Sequence, residues 1–140
     1  MYRLKIAEEQ DYSKLAEFIS YVKVDWDRFK EICEAFIILQ DKDDKVVASV
    51  GLEIVENNGL VRLLIVTPEI GQAYALSLIE GIEQLKAKYK LEKLFVKAST
   101  EPAEELFGLI GYYKMEKGDI PEKVAEKMKD LSEETVIMAK

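Results

Sequence analysis

Residues 66–76 read VTPEIGQAYAL: an apolar run ends at Pro68, one glycine follows at Gly71, and a helical pattern begins. Strand, tight turn and helix N-terminus in that order bring backbone N–H groups and the positive end of a helix dipole to one point, an arrangement that holds a phosphate. The same residues also serve as a plain corner between a buried strand and an amphipathic helix, since Gly71 is the only glycine in the turn. Both readings stand on these residues alone.

Absences narrow the chemistry further. The chain has no histidine and one cysteine. That composition excludes Ser-His-Asp and Cys-His nucleophile pairs, His-ligated zinc, Cys-rich metal centres and an internal disulfide, so no metal is expected. Cys33 falls in an apolar rhythm with Trp26, Phe29 and Ile32 and reads as a buried structural thiol. Whatever chemistry the chain performs is left to carboxylates, tyrosines, lysines, backbone dipoles or a cofactor.

The net charge is −7, with lysines scattered among glutamates, which argues against a nucleic-acid-binding surface. The longest apolar runs, residues 63–66 and 35–39, are far shorter than the ~20 residues of a membrane span. The opening MYRLKIAEEQ has no hydrophobic signal region. The expectation is a soluble, cytoplasmic protein without a membrane partner. At 140 residues, 49% of them apolar, residues 1–140 suit one globular domain with a sizeable core.

The elements that must position any site follow from hydrophobic spacing. Residues 2–7 alternate as a strand, and Tyr12, Leu15, Ile19 and Val22 recur at helical spacing. A short helix fits residues 25–33 with Asp25 as N-cap, followed by a strand at 35–40. Residues 45–55 alternate, Asn58-Gly59 gives the strongest short hairpin signal, and residues 60–66 read as a central strand covered on both faces. Leu78, Ile82, Leu85 and Tyr89 mark an amphipathic helix from Gly71 to Tyr89. A strand at 94–98, a helix at 102–110 stopped by Gly111, a strand at 112–115, a helix at 119–131 opened by Pro121 and carrying Leu131 inward, and a strand at 135–139 complete the chain. The order β-α-α-β-β-β-α-β-α-β-α-β predicts an α/β fold: a mixed, mainly antiparallel twisted sheet with helices on both faces.

This order, with VRLLIVTP feeding GQAYALSLIEGIEQL, then LFVKAS, EPAEELFGLIGYYKM and a closing TVIMAK, resembles the GNAT superfamily of acyl-CoA-dependent N-acetyltransferases over nearly the whole chain. The tail IGYYKMEKGDIPEKV and the final VIMAK are most similar to amino-acid acetyltransferases of the N-acetylglutamate synthase type. The resemblance implies acetyl-CoA as cosubstrate. It places the pantetheine arm along Leu64, Ile65 and Val66, with the Leu64 amide at the thioester oxygen, and the pyrophosphate at Gly71, Gln72, Ala73, Tyr74, Ala75 and Leu76. The superfamily turn, [QR]-x-x-G-x-[GA], is degenerate here: its leading basic or Gln residue is missing and the loop is one residue short. Phe107 stands where many members place a tyrosine general acid.

Within that frame Glu53 and Arg62 become candidates. If Asn58-Gly59 is a two-residue loop, Asn57 faces Leu60 and, counting outward, Glu53 faces Leu64. Glu53 is then a candidate general base, or else a surface glutamate. Arg62, two residues before Leu64 and so on its face, either binds a substrate carboxylate or pairs with a nearby glutamate. Trp26 and Arg28 lie in the segment that the resemblance makes the acceptor wall, although Trp26 also reads as core. The expected function is acetyl transfer from acetyl-CoA to a primary amine, an amino acid or other small molecule, by direct attack in a ternary complex. The alternative is a catalytically inactive CoA-binding or protein-interaction module, and a homodimer through an edge strand fits either.

Overall fold

The computed structural model describes residues 1–128 and 135–140. Among the described residues, seven strands and five α-helices follow the expected order: β1 (Arg3–Ile6), α1 (Tyr12–Tyr21), α2 (Trp26–Phe29), β2 (Cys33–Gln40), β3 (Val46–Val55), β4 (Asn58–Val66), α3 (Gln72–Lys88), β5 (Lys93–Ala98), α4 (Glu101–Leu109), β6 (Tyr113–Lys114), α5 (Glu122–Lys127) and β7 (Val136–Ala139). The strands are ordered β1-β2-β3-β4-β5-β7-β6. Antiparallel pairing joins β1 to β2, β2 to β3, β5 to β7 and β6 to β7, and the β4–β5 pair is parallel. The sheet is therefore mixed and mainly antiparallel.

The residues cluster into two compact units, one of Met1–Glu53 with Arg62–Leu85, the other of Ile54–Val61 with Lys86–Lys140. In the first, Leu15, Phe18 and Ile19 of α1 join Cys33, Phe36 and Ile38 of β2 in a buried cluster on one face of the sheet. The neighbouring β2 residue Ile37 points to the opposite face, where its Cδ1 lies 2.6 Å from where a Cβ on Gly81 of α3 would stand. Helices thus cover both faces of this unit, as the alternating residues of β2 require. In the second unit Leu60, Phe95, Val124, Met128 and Ile137 form a separate buried cluster.

Several boundaries differ from the sequence expectation. The hairpin turn is Glu56–Asn57, not Asn58-Gly59, and Glu56 takes the left-handed conformation at φ 55°. Asn58 and Gly59 instead pair with Lys93 and Leu94 in the parallel ladder to β5. Hydrogen bonding to a third strand outweighs their turn propensity. The second helix is one turn long, because Cys33 is drawn into β2 by pairing with Glu53. Asp25 stands at its N-cap position without a side-chain capping bond.

Towards the C-terminus, Thr100 caps α4 by accepting from the Ala103 amide at 3.2 Å, with Pro102 in the first turn. Gly111 ends that helix at φ 99°, the left-handed conformation a helix stop asks of glycine. The last helix begins at Glu122, after a 3₁₀ turn at Lys117–Asp119. Leu131, expected to point inward, lies outside the described residues.

Candidate functional site

Strand β4 changes character along its length. Residues 58–62 are buried, whereas 63–66 are half-buried. The change coincides with Leu63, whose φ of 51° puts a non-glycine residue in the left-handed region. Such a conformation costs about 1–3 kcal/mol and persists only where its surroundings over-determine it. Among them is Ser49 of β3, whose hydroxyl donates to the Leu63 carbonyl at 2.9 Å. Farther along, the Thr67 hydroxyl donates to the Val47 carbonyl at 3.5 Å.

Leu63 and Ile65 pack against the α1–β2 cluster. By alternation Leu64, between them, turns to the other side. Arg62 faces that cluster too, for its guanidinium stands 5.9 Å from the ring of Phe29, which packs on the same residues. Two consecutive side chains on one face are the mark of a bulge. Arg62 therefore does not share the face of Leu64, and the count of two that predicted so fails at Leu63.

Glu53 and Arg62 find each other. Arg62 Nε donates to Glu53 Oε1 at 2.9 Å, and both side chains are buried. With the turn two residues earlier than Asn58-Gly59, counting outward no longer brings Glu53 opposite Leu64. The β3 side chain at that part of β4 is Ser49. Behind the pair, Cys33 is buried opposite Glu53, and burial, reinforced by the Glu53 charge, pushes its thiol up to about 12. The expectation of a buried thiol holds. Arg28 is exposed with its guanidinium 5.1 Å from the same Phe29 ring, so one phenyl ring is flanked by both arginines. Trp26, half-buried, packs against Phe36 at 5.2 Å and Tyr12 at 6.2 Å between ring centroids, which accounts for it as core.

After β4 the chain turns through residues 67–71, closed by the Ile70 amide donating to the Thr67 carbonyl at 3.0 Å. Gly71 has φ +94°, and a Cβ there would meet nothing within 4 Å. Glycine is required at this position by the backbone and not by space. Gln72 opens the 17-residue α3, and Gly71, Gln72 and Ala73 are exposed. Ala73 already lies in the helix, where alanine serves as well as glycine. Tyr74 is half-buried, edge-on to Tyr2 at 5.3 Å, Ala75 is buried and Leu76 half-buried. The first amides of the helix lack intrahelical acceptors and reach solvent beside Gly71, which is what an anion needs. Glu69 is exposed in the same turn and works against one.

In the second unit Phe107 is buried edge-on to Tyr112, with centroids 5.2 Å apart. Lys93 Nζ donates to the hydroxyl of Tyr113. Among the described residues no group of three or more His, Cys, Asp or Glu is placed to hold a metal ion. No helix among them is long and apolar enough to cross a membrane.

Sequence reasoning singled out Glu53, Arg62 and Gly71, gave no role to Ser49 or Phe29, and did not anticipate the left-handed Leu63. A lone serine in the apolar run VVASVGLEIV was the available signal. No residue type announces a left-handed leucine.

No family profile matches the chain. The uncharacterized protein YwlB of Bacillus subtilis is 23% identical over 124 residues, 88% of this chain and 83% of that protein. The solved structure of N-acetylglutamate synthase from Neisseria gonorrhoeae, complexed with coenzyme A and N-acetyl-glutamate, superposes with a TM-score of 0.81 at 16% identity. That match covers 100% of this chain and 35% of the synthase, so the chain spans about a third of its length. An acetyltransferase of the GNAT family from Staphylococcus aureus superposes with a TM-score of 0.77 at 12% identity, covering 100% of this chain and 98% of that one.

Proposed function

We propose that this chain, whose fold is that of the GNAT acetyltransferases, transfers an acetyl group from acetyl-CoA to a primary amine by direct attack in a ternary complex. The observation that carries the reading is the sequence of features along β4 and α3. A left-handed break at Leu63 is followed by half-buried strand, a glycine turn at φ +94° and an exposed helix N-terminus. That order suits a long cosubstrate with an apolar arm and an anionic end.

In this reading the Leu64 N–H stabilises the oxyanion that develops on the thioester carbonyl. The backbone of Ile65 and Val66 lies along the pantetheine arm. Amides of Gly71, Gln72, Ala73 and Tyr74 hold the pyrophosphate, while Ala75 and Leu76, whose amides bond within the helix, anchor its first turn by packing. The amine nitrogen attacks the carbonyl carbon, the C–S bond breaks, and the CoA thiol leaves with a proton. Glu53 takes the proton from the amine, directly or through water, while Arg62 keeps its carboxylate in place.

Arg62 and Arg28, flanking Phe29, favour an acceptor with a carboxylate, hence an amino acid or similar small amine over a protein lysine. An α-amino group, with a reference pKa of about 7.7–8.0 against about 10.4 for lysine, also asks less of the base. Trp26 supports the acceptor wall from behind through its packing on Phe36. We place the reaction in the cytoplasm, with no nucleic acid or membrane as partner.

A second reading, a CoA-binding or protein-interaction module without catalysis, is favoured by the commitment of Glu53 to Arg62 and by Glu69 in the turn. Thermal unfolding with acetyl-CoA separates binding from its absence. A ligand at a hundred times its Kd stabilises by ~2.7 kcal/mol, and no shift at millimolar acetyl-CoA sinks both CoA-dependent readings. Thiol release across a panel of amines then separates catalyst from binder.

A further inference from the structure

We propose that Ser49 is a positioning residue: its hydroxyl locks the peptide group between Leu63 and Leu64 and so aims the Leu64 N–H. The catalytic consequence rests on the acetyltransferase reading, whereas the lock is a property of the chain without ligand. A peptide group is a rigid plane in which the carbonyl of one residue and the N–H of the next point in opposite directions. Holding the Leu63 carbonyl at 2.9 Å therefore sets the direction of the Leu64 amide. Ser49 has no exposed surface, so its hydroxyl must find its partner within the protein.

The lock is needed because Leu63, at φ 51°, has no conformational preference of its own for the left-handed region. Released, the chain gains by returning towards extended geometry, which rotates this peptide plane. Leu63 and Ile65 are held by the α1–β2 cluster on either side of Leu64, but side-chain packing leaves the tilt of the intervening plane open. A hydrogen bond to the carbonyl does not. The direction of an oxyanion donor matters because it must meet the charge where that charge develops.

The test compares Ser49→Ala with Ser49→Cys in the full chain. Cysteine fills the volume of serine but donates weakly, so it separates packing from hydrogen bonding. Three measurements are made: the amide resonance of Leu64 in the protein without ligand, kcat and KM for acetyl-CoA with the best amine, and the thermal shift with acetyl-CoA. In both variants the Leu64 resonance is expected to move. With it, kcat is expected to fall by at least about tenfold while KM for acetyl-CoA changes little, the signature of an interaction made in the transition state. Wild-type values in Ser49→Cys would assign Ser49 to packing and overturn the proposal, as would an unmoved Leu64 resonance. Absence of an acetyl-CoA shift in the wild-type chain removes the acetyltransferase reading instead, and the Leu64 resonance still decides whether the lock exists.

Discussion

Glu53 and Arg62 meet as a buried ion pair, with Nε 2.9 Å from Oε1 and only 4% and 9% of the two side chains exposed. The arginine reaches this pair from the residue just before the left-handed Leu63, and its guanidinium also lies over Phe29. One contact thus ties β3, β4 and α2 together, and whatever Glu53 does chemically it does with Arg62 beside it.

Glu53→Gln keeps an oxygen for Arg62 and removes the charge. If Glu53 is the base, turnover falls by about 10²-fold or more while the thermal shift with acetyl-CoA is retained. Unchanged turnover would reduce Glu53 to a support for Arg62. Glu53→Ala also removes the acceptor and is expected to destabilise by about 3–5 kcal/mol, measured by urea unfolding.

Gly71→Ala isolates backbone conformation, since its Cβ meets no other atom. The left-handed penalty predicts a loss of about 1–2 kcal/mol in stability. A weaker acetyl-CoA thermal shift is expected as the first amides of α3 are re-aimed. Calorimetric titration that gives the wild-type Kd for acetyl-CoA in this variant would remove the turn from the binding site.

Gly51→Ala is expected to fail for the opposite reason. A Cβ at Gly51 would lie 2.8 Å from Cε1 of Phe36 and 3.1 Å from the Cys33 sulfur, on the face where Phe36 meets Trp26 and Tyr12. Overpacking of this kind costs about 1–3 kcal/mol, and tryptophan fluorescence should report the displaced ring of Trp26. Unchanged stability and emission would show that Phe36 yields without cost.

Cys33 predicts an alkaline limb in stability. Its thiol is pushed up to about 12 in the folded chain, above the ordinary thiol value, so the unfolded chain loses this proton first as pH rises. Stability is then full below the unfolded value of about 8.5 and declines from there towards pH 12. Urea midpoints from pH 7 to 10 should show a shallower decline in Cys33→Ala. Equal slopes in the two proteins would mean that Cys33 titrates normally. The same thiol should resist alkylation at neutral pH until the chain unfolds.

Much of the fold was legible because apolar spacing records which face of each element is buried. The rhythm of α3, the alternation of β3 and the glycine stop after α4 each report a local choice between helix, strand and turn. Where the sequence misled, a partner distant in the chain outweighed that choice. Asn58-Gly59 reads as a turn until β5 offers it a ladder, and Cys33 reads as helix until Glu53 draws it into β2. Trp26 carried two readings, and its packing on Phe36 and Tyr12 agrees with the core one.

By itself the sequence determined the order of elements, the lack of histidine chemistry, the buried character of Cys33 and the glycine at the turn before α3. Each depends on residue type or on neighbours a few positions away. The tertiary structure alone decided that Glu53 meets Arg62 and not Leu64, and that Leu63 leaves the strand conformation under a hydrogen bond from Ser49. Those outcomes depend on the register between β3 and β4, and a shift of the turn by two residues changes every pairing across it.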